Sequence, residues 1–472
     1  MKSIRKTLIR TNKCLNKVNF FVAGLVIFFS LQFFIHSKLM YFLSFGLLAS
    51  FFYLHFKRIS IALMFSLIIS IFFEVGLASR MFTLEPAFLN LGSGWRITPQ
   101  IALTFLLLIE TVKNRKNLLQ IKLKPPDIIL TFFFLWVFIS FLFQPNFNFF
   151  IGMTQLFESL LFYFLLRLNL KTEHFNILTV IFLSLILFQS AVSFAQLFNK
   201  RPLGIISETA LIESPYSLTT VEGAKTFRIT GTFGHPNMLA AFLISLAPFL
   251  ILTRPFSLLY FSADLLLFIL VFLTYSRISW VFFIIEYYFC LTLNKISFAR
   301  LKFAGKKYII PAFLILLLFL FLIYPGFIIR LRSTAESLDE FGSLGMRIKL
   351  TQEGFNLLMK NPFFGVGLDR SLEFYAKSPV TDLFKNNPPG PFYKIHNTFL
   401  EIASETGLGG LLFFTLFLYL ILVSSFKKES NILIKQASML GLSGLIIVSY
   451  LNPFLHSLQL SVIFLLSTII LV

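Results

Sequence analysis

The chain has 472 residues, is 57% hydrophobic and 13% charged, and carries a formal net charge of +20. A soluble domain holds about 25% charged residues, so that class is excluded. The Lys and Arg fall between long apolar runs, which makes the positive balance a marker of membrane topology rather than of nucleic-acid binding.

The first 18 residues form a basic tail with Lys2, Arg5, Lys6, Arg10, Lys13 and Lys17. No small-residue cleavage pattern follows, so the next run reads as a retained signal anchor. Apolar runs then recur near 19–35, 39–56, 59–79, 97–112, 127–143, 149–168, 174–198, 236–253, 256–275, 278–294, 308–325, 397–424, 433–452 and 454–472. About 20 apolar residues cross a bilayer as a helix. Alternating strand patterns are absent, which leaves helices rather than a closed barrel. The fold class is therefore all-α, a polytopic transmembrane helix bundle of about 12–14 spans. It divides into N-terminal spans (19–198), a loop (199–235), central spans (236–325), a large loop (326–396) and C-terminal spans (397–472), with no internal repeat. Cys14 and Cys290 lie in the tail and within a span, so neither suggests a disulfide or a metal site.

Charge orients the bundle. With the N-terminus inside, the inner segments hold 24 of the 41 Lys and Arg, the short outer segments four, and the two long outer loops 13. Long loops count little in the positive-inside rule, so both long loops are expected outside.

The first long loop ends Phe227-Arg228-Ile229-Thr230-Gly231-Thr232-Phe233-Gly234-His235-Pro236-Asn237. Its glycines permit close backbone approach, and Pro236 suits a first helical turn. The next outer turn, Thr274-Tyr275-Ser276-Arg277, places an arginine between two spans, where it needs the interface or an anionic partner. In the second long loop, residues 344–360 repeat Met346, Leu350, Leu357 and Leu358 at helical spacing, with Arg347 beside that edge. This segment is expected to be an amphipathic helix on the outer leaflet. Asn361-Pro362 stops it, and Gly365 and Gly367 make a flexible turn after it. Thr398 with Glu401 three residues on reads as a capping box opening the following span. His396 then lies just before a helix N-terminus, whose positive end disfavours protonation and suits a general base. Glu401 and Glu405 follow in the first turns, and Asp264 and Glu286 read as buried pairing partners.

The topology, derived without these motifs, puts Arg228, Arg277, Arg347 and His396 on one side. Arginine binds phosphate through a rigid, permanently charged fork. The chemistry that fits is capture of a lipid-anchored phosphate or diphosphate, with the histidine activating a hydroxyl.

In four stretches the sequence resembles the bacterial O-antigen ligase and O-antigen polymerase superfamily of membrane glycosyltransferases. These are 228–237, 274–277, 345–367 and 396–409, in order and over about residues 225–425. The resemblance implies a fold of the lipid-linked-donor glycosyltransferase type. It implies a glycan donor on a polyprenyl diphosphate such as undecaprenyl diphosphate, with membrane lipid as surroundings. It assigns the diphosphate to Arg228, Arg277 and Arg347, and the deprotonation of an acceptor hydroxyl, with inversion, to His396. His235, Asn237, Asn397 and Glu405 are supporting residues, and no cofactor or metal is implied. Acceptor recognition is assigned to the large loop around Asn386-Asn387-Pro388-Pro389-Gly390-Pro391. The acceptor choices are lipid A core, another lipid-linked repeat unit and a protein Ser or Thr. The competing class is a transporter or flippase of lipid-linked sugars, whose ionisable groups usually sit near the midplane between repeated halves. The expected location is the cytoplasmic membrane, with the site on its outer face.

Overall fold

A computed structural model of the chain describes residues 20–70, 72–73, 77–78, 96–114, 122–143, 145, 147–205, 208, 218–221, 224–253, 258–293, 343–368, 370–371, 374, 395–425, 432–450 and 458–471. In chain order the helices are α1 (Phe20–Gln32), α2 (Lys38–Phe56), α3 (Ile59–Ser70), α4 (Pro99–Lys113), α5 (Pro125–Phe143), α6 (Phe147–Asn169), α7 (Phe175–Asn199), α8 (Pro236–Thr253), α9 (Leu258–Leu273), α10 (Arg277–Leu293), α11 (Ser343–Lys360), α12 (Thr398–Ser425), α13 (Ile432–Ser449) and α14 (Leu458–Leu471). Among the described residues, α2, α5, α7 with its preceding turn, α8, α12 and α13 are long and apolar enough to cross a bilayer. The protein is an all-α, multi-pass membrane protein.

The centre of the bundle is α8. Every residue from Leu239 to Leu252 is buried, as expected of a helix apolar on all sides. It packs chiefly on α13 and also on α9 and α10. Small residues make the α13 contact close: Gly441 faces the carbonyl of Ser245, and Gly444 faces Ile244. Around this centre α12 lies along α5, and α11 lies against α12.

Three expectations change. The run 59–79 is helical only to Ser70, because neighbouring side chains take the carbonyls beyond it. Gln100 Nε2 donates to Ser70 O (2.9 Å) and the Tyr41 hydroxyl donates to Phe73 O (2.9 Å). Short strands do occur, in two antiparallel pairs: β1 (Leu77–Ala78) with β2 (Arg96–Ile97), and β3 (Leu218–Val221) with β4 (Ala224–Phe227). Two to four residues are too few for an alternating pattern to register. Glu286 is buried in α10, close to Gly444, yet among the described residues neither carboxylate oxygen has a hydrogen-bond partner. The expected span at 308–325 and the 386–391 stretch lie outside the described residues.

Candidate active site

The site begins where β4 ends. Arg228 is 6% exposed, and a buried guanidinium must be hydrogen-bonded. Its Nε donates to the carbonyl of Thr274 (2.9 Å), and Nη2 donates to Oδ1 of Asn237 (3.1 Å). One side chain thus joins the first loop, the start of α8 and the turn between α9 and α10. That turn is tight: Tyr275 has φ of 52°, a left-handed conformation that costs a non-glycine residue about 1 kcal/mol or more. Trp280 Nε1 holds it from behind, donating to the carbonyls of Val271 and Phe272 (3.2 Å each). Arg277 follows as the first residue of α10.

The backbone N–H of Asn237 donates to Nδ1 of His235 (3.1 Å). A ring that accepts at Nδ1 while neutral carries its proton on Nε2. Burial, together with the charges of Arg228, His396 and Arg347, pushes the pKa of His235 down to about 3. Those charges also identify its neighbours: two arginines from different loops and the histidine before α12. Arg277 lies three residues after the carbonyl that Arg228 holds.

The loop between Arg228 and His235 is clasped from α7. Gln189 Oε1 accepts from the N–H of Thr232 (3.0 Å), while its Nε2 donates to the Thr232 hydroxyl (2.7 Å). Two turns later Gln196 Oε1 accepts from the N–H groups of Thr230 (3.1 Å) and Gly231 (3.0 Å). Gln196 Nε2 donates to Gly231 O (2.8 Å) and to the carboxylate of Glu208. Gly231 has φ of 55°, and a Cβ there would run into the Gln189 amide oxygen.

On the other side, Asn397 rather than Thr398 caps α12. Its Oδ1 accepts from Leu400 N (3.0 Å), and its carbonyl accepts from Glu401 N (2.9 Å). Thr398 is already inside the helix, so the residue three after the cap is Leu400 instead of Glu401, the expected capping box does not form, and His396 lies immediately before the cap. Glu405 reaches the large loop, where its Oε1 accepts from the Ser371 hydroxyl (2.7 Å). Two residues later α12 breaks at Gly407 (φ 75°, ψ −177°).

The break receives the 361–367 turn. Val366 N donates to Ser404 O (2.9 Å), Gly367 N to Glu405 O (2.9 Å) and Leu408 N to Pro362 O (2.8 Å). From α5, Trp136 Nε1 donates to Thr406 O (2.9 Å) and Ser140 Oγ donates to Phe364 O (2.6 Å). The turn read as flexible from its glycines is thus pinned on both sides.

Arg347 is carried by α11, which is amphipathic along the expected stripe, but that stripe is turned into the protein. Leu350 and Leu357 are buried. Leu357 packs with Val366 and Ile395, and Gly354 faces Ile395 and Leu400. A different row, Ile348, Phe355 and Met359, is exposed. Among the described residues no three His, Cys, Asp or Glu side chains gather as metal ligands.

Residues 262–415 match the family model of the O-antigen ligases. This part of the chain is similar to the O-antigen ligases. The match supports a membrane glycosyltransferase of the O-antigen ligase and polymerase type. No curated protein matches the chain. The ligase-family segment carries Arg277, Arg347, His396, Asn397 and Glu405, whereas Arg228, His235 and Asn237 precede it. Sequence reasoning missed Gln189, Gln196, Trp136 and Ser371. Two glutamines seven residues apart in an otherwise apolar run were the available signal.

Proposed function

We propose that the protein moves a glycan from a polyprenyl diphosphate, such as undecaprenyl diphosphate, to an acceptor hydroxyl at the outer face of the cytoplasmic membrane. The observation that carries this reading is Arg228 hooked to Asn237 and Thr274 beside the neutral His235, close enough to Arg347 and His396 for their charges to act on that ring. Fixed guanidinium groups favour an anion whose charge grows as it leaves, and they need no reorganisation during the reaction. Arg277, one turn from the Arg228 hook, completes the diphosphate grip.

The two histidines have different tasks. His235 accepts at Nδ1 and offers a proton at Nε2, so it donates a hydrogen bond to the donor. His396 takes the proton from the acceptor hydroxyl as that oxygen bonds to the anomeric carbon. The bond from that carbon to the diphosphate oxygen breaks, and its electron pair leaves with the lipid diphosphate. Attack opposite the leaving group inverts the anomeric configuration. Asn397 fixes His396 by capping the helix behind it, and Glu405 fixes the loop that faces it. The distribution of Lys and Arg supports a cytoplasmic N-terminus and an outward-facing site.

The test uses the full chain in nanodiscs with a labelled undecaprenyl-diphosphate oligosaccharide and a panel of acceptors. Wild type should release glycan from the lipid, His396→Ala should bind the donor and transfer nothing, and Arg228→Lys should bind it more weakly. The acceptor that gains mass chooses between core lipid, a second lipid-linked glycan and protein. Donor that binds or crosses the bilayer without being cleaved would replace this reading with transport.

A further inference from the structure

The loop that carries Arg228 and His235 has no regular structure of its own between Arg228 and Pro236, yet both residues need fixed positions to act on one diphosphate. Apart from one turn, in which Phe233 N donates to Thr230 O (3.1 Å), its main chain takes partners from outside itself. Thr230, Gly231 and Thr232 find them in Gln189 and Gln196, which are fully buried and seven residues apart on α7. That spacing puts them on one helix face, two turns apart. Gln196 meets the loop as a neighbouring β-strand would, accepting from two N–H groups and donating to a carbonyl, while Gln189 accepts from Thr232 N and donates to the Thr232 hydroxyl. The Gln196 amide also ties in Glu208, whose second oxygen accepts from Leu203 N (2.8 Å). Thus α7, Glu208 with Leu203, and the arginine loop meet at one side chain.

We infer that Gln189 and Gln196 are positioning residues of the transferase: they set the backbone of residues 230–232 and thereby aim Arg228 and His235 at the donor diphosphate. Neither is required to touch the donor. A buried amide lost from such a network leaves several main-chain groups unpaired at once, so the loop relaxes while the apolar bundle persists. The inference rests on the transferase reading of the same site.

Two readouts separate it from that reading and from a plain loss of stability. The first is amide hydrogen exchange of the full-length protein in nanodiscs. Gln196→Leu should unprotect Thr230 and Gly231, Gln189→Leu should unprotect Thr232, and the amides of α8 should stay protected in both. The second is titration with undecaprenyl diphosphate, together with transfer from its oligosaccharide adduct. Each Leu variant should weaken donor binding and raise KM at least tenfold, with a smaller change in kcat. Gln189→Glu should behave nearly as wild type, because at a fully buried site its carboxyl stays protonated, one oxygen accepting from Thr232 N while the O–H donates to the Thr232 hydroxyl. Gln196→Glu should fail, since it sets two carboxylates together, and adding Glu208→Gln should recover part of the loss. Unprotected amides with unchanged donor affinity overturn the positioning role, as do amides that stay protected. A wild type that neither binds nor transfers overturns the transferase reading with it, even if the exchange pattern still reports the clasp.

Discussion

Around Gly231 the main chain is held by side-chain amides reaching from α7, whereas around Gly365 it is held by the main chain of α12 at its own break. The two loops border the same group of arginines and histidines. In the first, position depends on which side chains stand at 189 and 196. In the second, most of the polar partners are backbone atoms, so side-chain identity matters only where a Cβ would intrude. Substitution should therefore affect the two loops through different chemistry.

The largest effect is expected at Gly407. Its φ of 75° disfavours any side chain, and a Cβ would coincide with the carbonyl of Phe363. Both colliding groups are backbone, so neither can rotate away. Gly407→Ala should cost more than about 4 kcal/mol, in the range reserved for severe structural conflicts. Size-exclusion profile and thermal midpoint in detergent are the checks, and a monodisperse protein of wild-type stability would mean that the 361–367 clasp is not required. At Gly231 the same change meets the amide end of Gln189, a flexible side chain. Gly231→Ala should cost about 2 kcal/mol, combining left-handed strain with a displaced amide. Adding Gln189→Ala should not restore donor binding even though it makes room, because the amide that holds Thr232 is then gone.

Much of this bundle was legible because apolar runs and basic inner loops are strong signals. Arg228, Arg277, Arg347 and His396 stood out for the same reason: charged and titratable groups are scarce in such a chain. What holds them was hidden. Gln189 and Gln196 read as polar residues tolerated in a span, since nothing local distinguishes an amide that meets a distant backbone from one facing a neighbouring helix. The clasp at Gly407 has no side-chain signal beyond glycines, and these read equally well as a flexible turn. On α11 the helical period and the buried face of Leu350 and Leu357 were legible, but the second apolar row of Ile348, Phe355 and Met359 was not, because it follows the same helical spacing on the other side.

Trp136 and His235 sharpen the comparison at smaller cost. Trp136→Phe keeps an aromatic ring against Phe364, whose ring lies 5.3 Å from the indole, but removes the N–H donated to Thr406 O. A lost hydrogen bond of this kind costs about 1–2 kcal/mol. The main-chain pairs at 404–408 should persist, so transfer activity should fall less than in either glutamine-to-leucine variant. Equal losses would mean that the main-chain clasp is no sturdier than the side-chain one.

His235 gives the smallest effect and the one most specific to the arginine loop. Its folded pKa is depressed to about 3 by burial and by Arg228, His396 and Arg347, while an unfolded histidine titrates near 6.5. Below about 6.5 the unfolded chain takes up a proton that the folded site refuses, so stability present above that pH is lost as the pH falls toward 3. One pH unit below 6.5 the loss amounts to about 1.4 kcal/mol. His235→Asn keeps an acceptor for the N–H of Asn237 and removes the titration. Thermal midpoints measured from pH 7.5 to 5 should therefore fall more steeply for wild type than for this variant, and the difference between the curves isolates His235 from the other histidines. Parallel curves would mean that the ring is not held among those cations, and the arginine grip built around it would have to be redrawn.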